Sequence, residues 1–215
     1  MSRELLASAA AAGLLKSGGV LILGTDTLPG FHCRADLADP VTRILDLKGR
    51  RPDKSLLVLA GSVTQASLVT GTLDDRQKDF CGRCWPGPFS LILPSGGELS
   101  RSVNAHGGTV AVRVPGLKSL RDLILAVGFP LVSTSVNRSG EDPLEDLEAA
   151  RSAFGATVDG CWKPAESPAV SAAGGRGRPS ALIDLTQWPP VQLRRGPLDP
   201  PRVEPGGLDG GTRGI

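Results

Sequence analysis

Four cations fall within seven residues at Lys48, Arg50, Arg51 and Lys54, set around Gly49 and Pro52. A triphosphate or a carboxylate needs such a group, because arginine offers a planar fork and lysine a movable point charge. The plainer alternative is a helix C-terminus whose dipole the cations complement. Ser133, Thr134, Ser135 and Asn137 form a second concentration, four side-chain oxygens in five residues, directly after apolar Leu131 and Val132. Read as the end of a buried strand, they would offer short hydrogen-bonding groups at the carboxyl edge of a sheet, where α/β proteins bind ligands. A hydroxyl-rich turn that caps the next element is the alternative. Gly140 ends the run at a position able to take positive φ. Thr25, Asp26 and Thr27 make a similar polar strand end. Arg113 lies among Val112, Val114 and Pro115, and a charge between core-type residues is usually paired or functional. Arg194 follows the last apolar run, with a solvated surface arginine as its simple alternative.

Other candidates carry less. Cys81-Gly82-Arg83-Cys84 is a CxxC without a second pair at zinc-finger spacing, and it precedes Trp85-Pro86-Gly87-Pro88 rather than opening a βαβ unit. Its thiols are expected to be structural, with no tightly bound protein-coordinated metal. His32 and His106 lack metal-ligand spacing to a partner. No Ser/His/Asp set stands out, and there is neither a P-loop nor a dinucleotide fingerprint, so any nucleotide is bound by another route.

The elements that must position these groups alternate along the chain. Ser2 caps a first helix that runs to about Ser17, stopped by Gly18 and Gly19. Residues 20–23 (VLIL) and 56–59 (LLVL) are short continuous apolar runs, suited to strands buried on both faces. Asp39-Pro40 reads as an N-cap with proline at the first helical position. Ser62 and Asp74 start two further helices. Strands follow at 89–93 and 109–114, a helix at 117–127, the strand ending at 131–132, and a helix at 145–154. Residues 165–178 read as a mobile loop. Strands at 181–185 and 191–193 close the domain. Interleaved helices and strands in 215 residues give one α/β domain over 1–198 and a Gly/Pro-rich tail at 199–215 expected to be disordered.

Composition sets the bounds. A net charge of +2 is too small to argue for nucleic acid on bulk electrostatics, and 4% aromatic residues with no tyrosine make a base-stacking platform a poor fit. Four cysteines in a chain this long do not form a disulfide framework, so a soluble cytoplasmic protein is expected. No apolar run approaches the ~20 residues that span a bilayer.

The motifs Thr25-Asp26-Thr27, Lys48-Gly49-Arg50, Trp85-Pro86-Gly87-Pro88, Arg113-Val114-Pro115, the run from Ser133 to Gly140, Pro179-Ser180 and Arg194-Arg195-Gly196 stand in an order and spacing that resembles the YrdC/TsaC family of threonylcarbamoyl-AMP synthases. The resemblance covers roughly residues 5–198. The chain departs from the family pattern at Pro29 (an aromatic place), Val136 (usually alanine) and Ala181 (commonly threonine). It resembles the short form, with the catalytic domain alone.

That resemblance implies a twisted mixed α/β sheet around a large concave cavity. It also implies condensation of L-threonine, bicarbonate and ATP to threonylcarbamoyl-AMP and pyrophosphate, for the t6A modification of tRNA by a downstream transferase complex. Carried over by position, Lys48, Arg50, Ser135 and Asn137 are the catalytic and triphosphate-holding set. Thr109 and Arg194 are further ATP contacts, and Thr25, Arg113, Ser133 and Ser180 are threonine contacts. Mg²⁺ accompanies the ATP, bridging phosphate oxygens. The alternative is a non-catalytic double-stranded RNA- or tRNA-binding module of the same fold. Cations converging on one ATP-sized cavity favour the enzyme; a basic stripe reaching ~16 base pairs favours RNA. A carbamoyl-transfer domain of the hydrogenase-maturation type is disfavoured by the lack of zinc-finger and acylphosphatase-like segments in these 215 residues.

Overall fold

The computed structural model describes residues 4–49, 56–97, 99, 103, 107–166 and 178–203. Its elements are α1 (Ser8–Lys16), β1 (Leu21–Leu23), β2 (Gly30–Arg34), α2 (Ala38–Lys48), β3 (Leu57–Leu59), α3 (Val63–Ala66), α4 (Asp75–Cys84), β4 (Phe89–Pro94), β5 (Thr109–Arg113), α5 (Lys118–Val127), β6 (Leu131–Ser135), α6 (Leu147–Phe154), a 3₁₀ turn (Gly155–Thr157), β7 (Gly160–Trp162), β8 (Ala181–Asp184) and β9 (Val191–Arg194).

Local chemistry explains most of the boundaries. Ser62 accepts the Gln65 N–H at 3.0 Å, and Asp74 forms a reciprocal capping box with Gln77, as both sequence signals predict. Gly49, at φ 57°, ends α2 in the left-handed conformation that favours glycine. Two helix starts differ from expectation. The first helix begins at Ser8 rather than near Ser2, because Leu5 bridges Cys161 and the Leu6 N–H donates to Cys161 O at 2.8 Å. That backbone is used for sheet pairing. In α2 the N-cap is Leu37, and Asp39 and Pro40 lie within the first turn, where a carboxylate still favours the dipole.

The nine strands form one mixed sheet in the order β7-β1-β2-β6-β3-β5-β4-β8-β9. Parallel pairs are β1/β7, β3/β5 and β4/β8; the other neighbours are antiparallel. Register separates the two faces. The row Cys33, Val132, Val58, Val112, Leu91, Ile183 crosses six strands and is apolar throughout. It faces the larger core, where Val41 and Ile44 of α2, Phe80 of α4 and Ala150 of α6 pack. The adjacent row, His32, Ser133, Leu57, Ala111, Ile92, lies on the opposite face because side chains alternate along a strand. There α1 and α5 cover only part of the sheet, packing Ala11, Leu15, Leu120 and Ile124 against Leu21, Leu23, Leu59, Leu131 and Trp162. The remainder of that face is the floor of a cavity.

The polar run is the carboxyl-terminal part of its strand rather than a segment that follows it. Ser133, Thr134 and Ser135 lie inside β6, the fourth strand of nine, so that Ser133 and Ser135 look from the middle of the sheet into the cavity. Strands β2 and β7 are absent from the sequence-derived list. Of the tail expected from 199 onward, Arg202 O accepts from Arg83 at 3.0 Å and Val203 packs partly against the larger core. Residues 204–215 lie outside the described residues, as do 167–177 of the expected mobile loop.

Candidate active site

The cavity has a volume of about 420 Å³, and each strand from β2 to β9 except β7 gives it at least one group. Gly30, Leu57 and Ala111 give the floor small or apolar surface. Thr27, Ser90, Ser133, Ser135 and Ser180 supply hydroxyls, and Arg113 and Arg194 supply positive charge. No carboxylate is among the lining side chains of the described residues. Such a wall suits an anionic ligand with several oxygens.

On one side, Lys48, Ser135 and Asn137 form a single hydrogen-bonded cluster. The Lys48 ammonium, 4% exposed, donates to Ser135 O at 2.6 Å, Asn137 O at 3.0 Å and Asn137 Oδ1 at 2.8 Å. Ser135 Oγ donates to the same Asn137 Oδ1 at 2.6 Å, while Asn137 Nδ2 donates to Arg138 O and Glu141 O. Lys48 thus stands behind Ser135 and fixes the chain that leaves β6. Its own carbonyl accepts from Ser139 N at 2.7 Å. Arg50, Arg51 and Lys54 lie outside the described residues.

Across the floor, Arg113 is 2% exposed and its fork is held on three sides. Nε donates to Gly87 O at 3.0 Å, Nη1 to Thr27 Oγ1 at 2.9 Å, and Nη2 pairs with Asp26 Oδ1. Asp26 Oδ2 in turn accepts Gly116 N at 2.8 Å. Two of the five N–H donors of Arg113 are not taken by the described residues. Sequence reading singled out Arg113 but not its partner Asp26, although the pair is joined by the quoted Thr25-Asp26-Thr27 motif. Gly87, which presents the third acceptor, follows the cis Trp85-Pro86 bond.

At the sheet's far edge Arg194 Nε donates to Ser180 O at 3.0 Å, and the Ser180 hydroxyl lies 2.7 Å from Ser90 Oγ. Burial of its guanidinium, then the nearby Arg113 charge, lowers the Arg194 pKa. Ser90 was not predicted; a lone serine in the apolar run Phe89-Ser90-Leu91 was the available signal.

The remaining expected residues sit further back. Thr25 is buried, its hydroxyl donating to Leu28 O at 2.7 Å and accepting from Thr27 N at 3.1 Å, so that Thr27 forms the wall in front of it. Thr109 starts β5 on the same face as Ala111 and Arg113, one pleat beyond the lining residues. Pro29 and Val136, two of the departures, are buried and joined by a Val136 N to Pro29 O bond of 3.3 Å. Ala181 is also buried.

Cys33, Cys81, Cys84 and Cys161 are buried and none is in a disulfide, and burial pushes the Cys81 and Cys84 thiols up to about 12. Both pack in the larger core. Among the described residues no cluster of three His, Cys, Asp or Glu could hold a metal ion. His106 lies outside them. His32 is wholly buried in β2 beside the cavity.

Comparison with known proteins places this architecture. The Sua5/YciO/YrdC family model, described as telomere recombination, matches residues 13–196. A threonylcarbamoyl-AMP synthase of Chromohalobacter salexigens is 34% identical over 178 residues, 81% of this chain and 90% of that protein. The crystal structure of Pyrococcus abyssi Sua5 complexed with L-threonine superposes with a TM-score of 0.78 at 28% identity, covering 90% of this chain and 56% of that one. The chain thus spans about half the length of the archaeal protein. Escherichia coli YciO shares the fold, with a TM-score of 0.73 at 21% identity over 90% of this chain and 92% of its own. Fold, motif order and sequence identity agree, and the chain belongs to the Sua5/YciO/YrdC family.

Proposed function

We propose that this protein is an L-threonylcarbamoyladenylate synthase, a nucleotidyltransferase that joins L-threonine, bicarbonate and ATP to threonylcarbamoyl-AMP with release of pyrophosphate. The observation that carries the reading is the convergence of Arg113, Arg194 and five hydroxyl side chains on one open cavity in a chain 34% identical to a synthase of that name. The threonine amine adds to bicarbonate and water leaves, giving a carbamate. A carbamate oxygen then attacks the α-phosphorus, and pyrophosphate departs. Both reactants are anionic, so the site must neutralise them and hold them in line.

The two spare N–H donors of Arg113 serve the threonine carboxylate, with Ser133 and Ser180 as neighbours and Thr25 behind Thr27. Arg194 and Thr109 serve the nucleotide. Lys48, Ser135 and Asn137 form the triphosphate side, where Lys48 sets the positions of Ser135 and Asn137, and Arg50 is assigned to the same phosphates. The described wall offers hydroxyls but no carboxylate, so Mg²⁺ would enter with ATP and would neutralise phosphate charge beside Ser135 and Asn137. The product would pass to a threonylcarbamoyl transferase acting on tRNA, in the cytoplasm. No helix of the described residues is long and apolar enough to cross a membrane. Among the described residues Arg113 and Arg194 converge on a single cavity, which favours the enzyme over direct RNA binding. Incubation with ATP, threonine and bicarbonate, followed by mass detection of the adenylate and of pyrophosphate, tests the assignment. Pyrophosphate formation independent of threonine would reject it.

A further inference from the structure

His32 is the member of the cavity's floor row whose polarity the proposed chemistry leaves unexplained. The side chain is wholly buried, yet its Nε2 is the one buried side-chain nitrogen or oxygen among the described residues without a hydrogen-bond partner. Leaving such a group unsatisfied is costly, and native interiors rarely do so without a reason. Its protonation state follows from its other nitrogen. Nδ1 lies 2.8 Å from Gly30 O, a carbonyl that can only accept, so Nδ1 carries the hydrogen. Nε2 is then a lone-pair acceptor. The nearby Arg113 charge and full burial both oppose a second proton.

Strand register places an uncommitted hydroxyl next to the ring. His32 is paired in register with Ser133 on the antiparallel β2/β6 ladder. Directly opposed residues share a face, with Cβ atoms about 5 Å apart. The ring lies over Gly30, where a Cβ would meet His32 Cε1 at 2.9 Å and Nε2 at 3.4 Å. Gly30 and Ser133 both line the cavity. The Ser133 hydroxyl makes no hydrogen bond to the described residues, so its orientation is not fixed by them. Nε2 is sealed from solvent, whereas Ser133, the residue paired with His32, lines the cavity.

We propose that His32 is a positioning residue for substrate recognition: its Nε2 takes the Ser133 hydroxyl hydrogen, leaving the Ser133 oxygen to accept a hydrogen bond from the amine of the amino-acid substrate. The cavity wall needs such a device. Its arginines are donors only, and among the described residues its lining side chains include no carboxylate, so a side chain that meets an amine there is a hydroxyl whose own hydrogen points elsewhere. This inference rests on threonine being the substrate.

Calorimetric titrations of threonine and of ATP against the full chain test it, with thermal unfolding of each unliganded variant as the control. His32→Met removes the acceptor and keeps the volume. It is expected to weaken threonine roughly fivefold to tenfold, to leave ATP within about twofold, and to change the melting temperature little, because losing an unpaired buried acceptor offsets losing the Nδ1–H bond to Gly30 O. His32→Gln, whose side-chain oxygen reaches the Nε2 position, should recover most of the threonine affinity. Ser133→Ala made in the His32→Met background should cost little more, since the two residues act as one unit. In the wild-type protein, the ¹⁵N resonance of the unprotonated His32 nitrogen should move on adding threonine and stay in place on adding ATP. That measurement needs no variant to fold. Wild-type threonine affinity in His32→Met, equal weakening of both ligands, independent losses from the two substitutions, or an unmoved resonance would each overturn the proposal. Failure of the wild-type protein to bind threonine would instead overturn the substrate reading and this inference with it.

Discussion

Arg113 shows how a buried cation can serve both folding and binding. Asp26, Thr27 and Gly87 engage one N–H each from its three nitrogens, so the side chain is a structural brace before any ligand arrives. Breaking a buried pair from one side leaves an uncompensated charge and costs about 3–5 kcal/mol. Asp26→Asn should therefore lower the urea midpoint clearly, although Asp26 does not line the cavity. A midpoint unchanged from wild type would mean that the pair contributes nothing to the fold. Arg113→Lys should lose stability as well as threonine affinity, since an ammonium on a flexible stem cannot meet three acceptors in the same fork geometry. The same reasoning bears on Lys48. Its ammonium bonds three oxygens of Ser135 and Asn137. Lys48→Ala should abolish adenylate formation and also reduce the melting temperature, because those acceptors lose a charged donor worth about 1.5–3 kcal/mol. Full activity with a wild-type melting curve would remove Lys48 from the site.

At the level of elements, legibility in the sequence followed burial. Runs such as VLIL and LLVL are apolar because β1 is covered on both faces and β3 nearly so, and they were readable as strands. Strand β6 reads differently. Its Leu131 and Val132 meet core while Ser133 and Ser135 meet the cavity, so its polarity changes along its length and the second half resembles a turn. Strand β2 (GFHCR) mixes glycine, histidine and arginine because one of its faces abuts the site, and β7 is only three residues long. Caps at Ser62 and Asp74 were legible because they are local; the Leu5 to Cys161 bridge that delays α1 was not, because it joins distant segments. Close approach between strands gives the prediction at this scale. A Cβ on Gly196 would sit 2.2 Å from Ala181 N and 2.8 Å from Ala181 Cα. Gly196→Ala must push the segment after β9 away from β8, and Arg194 with it. Edge-strand residues Val191 and Leu193 are 41% and 55% exposed, so the loss of global stability should be modest. ATP affinity should fall by tenfold or more on the proposed reading, and titration of ATP decides whether β9 positions a nucleotide contact.

The whole molecule places its cavity by uneven cover. One face of the sheet is closed by α2, α3, α4 and α6, the other by α1 and α5 over part of its area, and the uncovered remainder gathers residues from seven strands. That gathering depends on β6 entering between β2 and β3, a long-range pairing that no local pattern encodes. The motifs named most of the participants, Asp26 and Thr27 included, but their partners and mutual geometry, and the part of Ser90, required the fold. The same arrangement sets a global acid response. His32 has its pKa lowered from 6.5 to about 4, first by burial and against it the Gly30 hydrogen bond, with the Arg113 charge adding to the lowering. Between these two values the unfolded chain binds the proton and the folded chain does not. Stability from this group is therefore complete above about pH 6.5 and is lost as pH falls towards 4, with a slope of at most ~1.4 kcal/mol per pH unit and a total of about 3 kcal/mol. Glu166, whose carboxylate is held below its ordinary range chiefly by the Ser119 hydroxyl, acts in the same direction but at lower pH. Urea unfolding of the wild-type chain between pH 7 and pH 4.5 should thus show a falling midpoint, and His32→Met should flatten that fall while leaving the decline below pH 4.5 in place. An identical pH dependence in the two proteins would mean that His32 is not the group that protonates on unfolding.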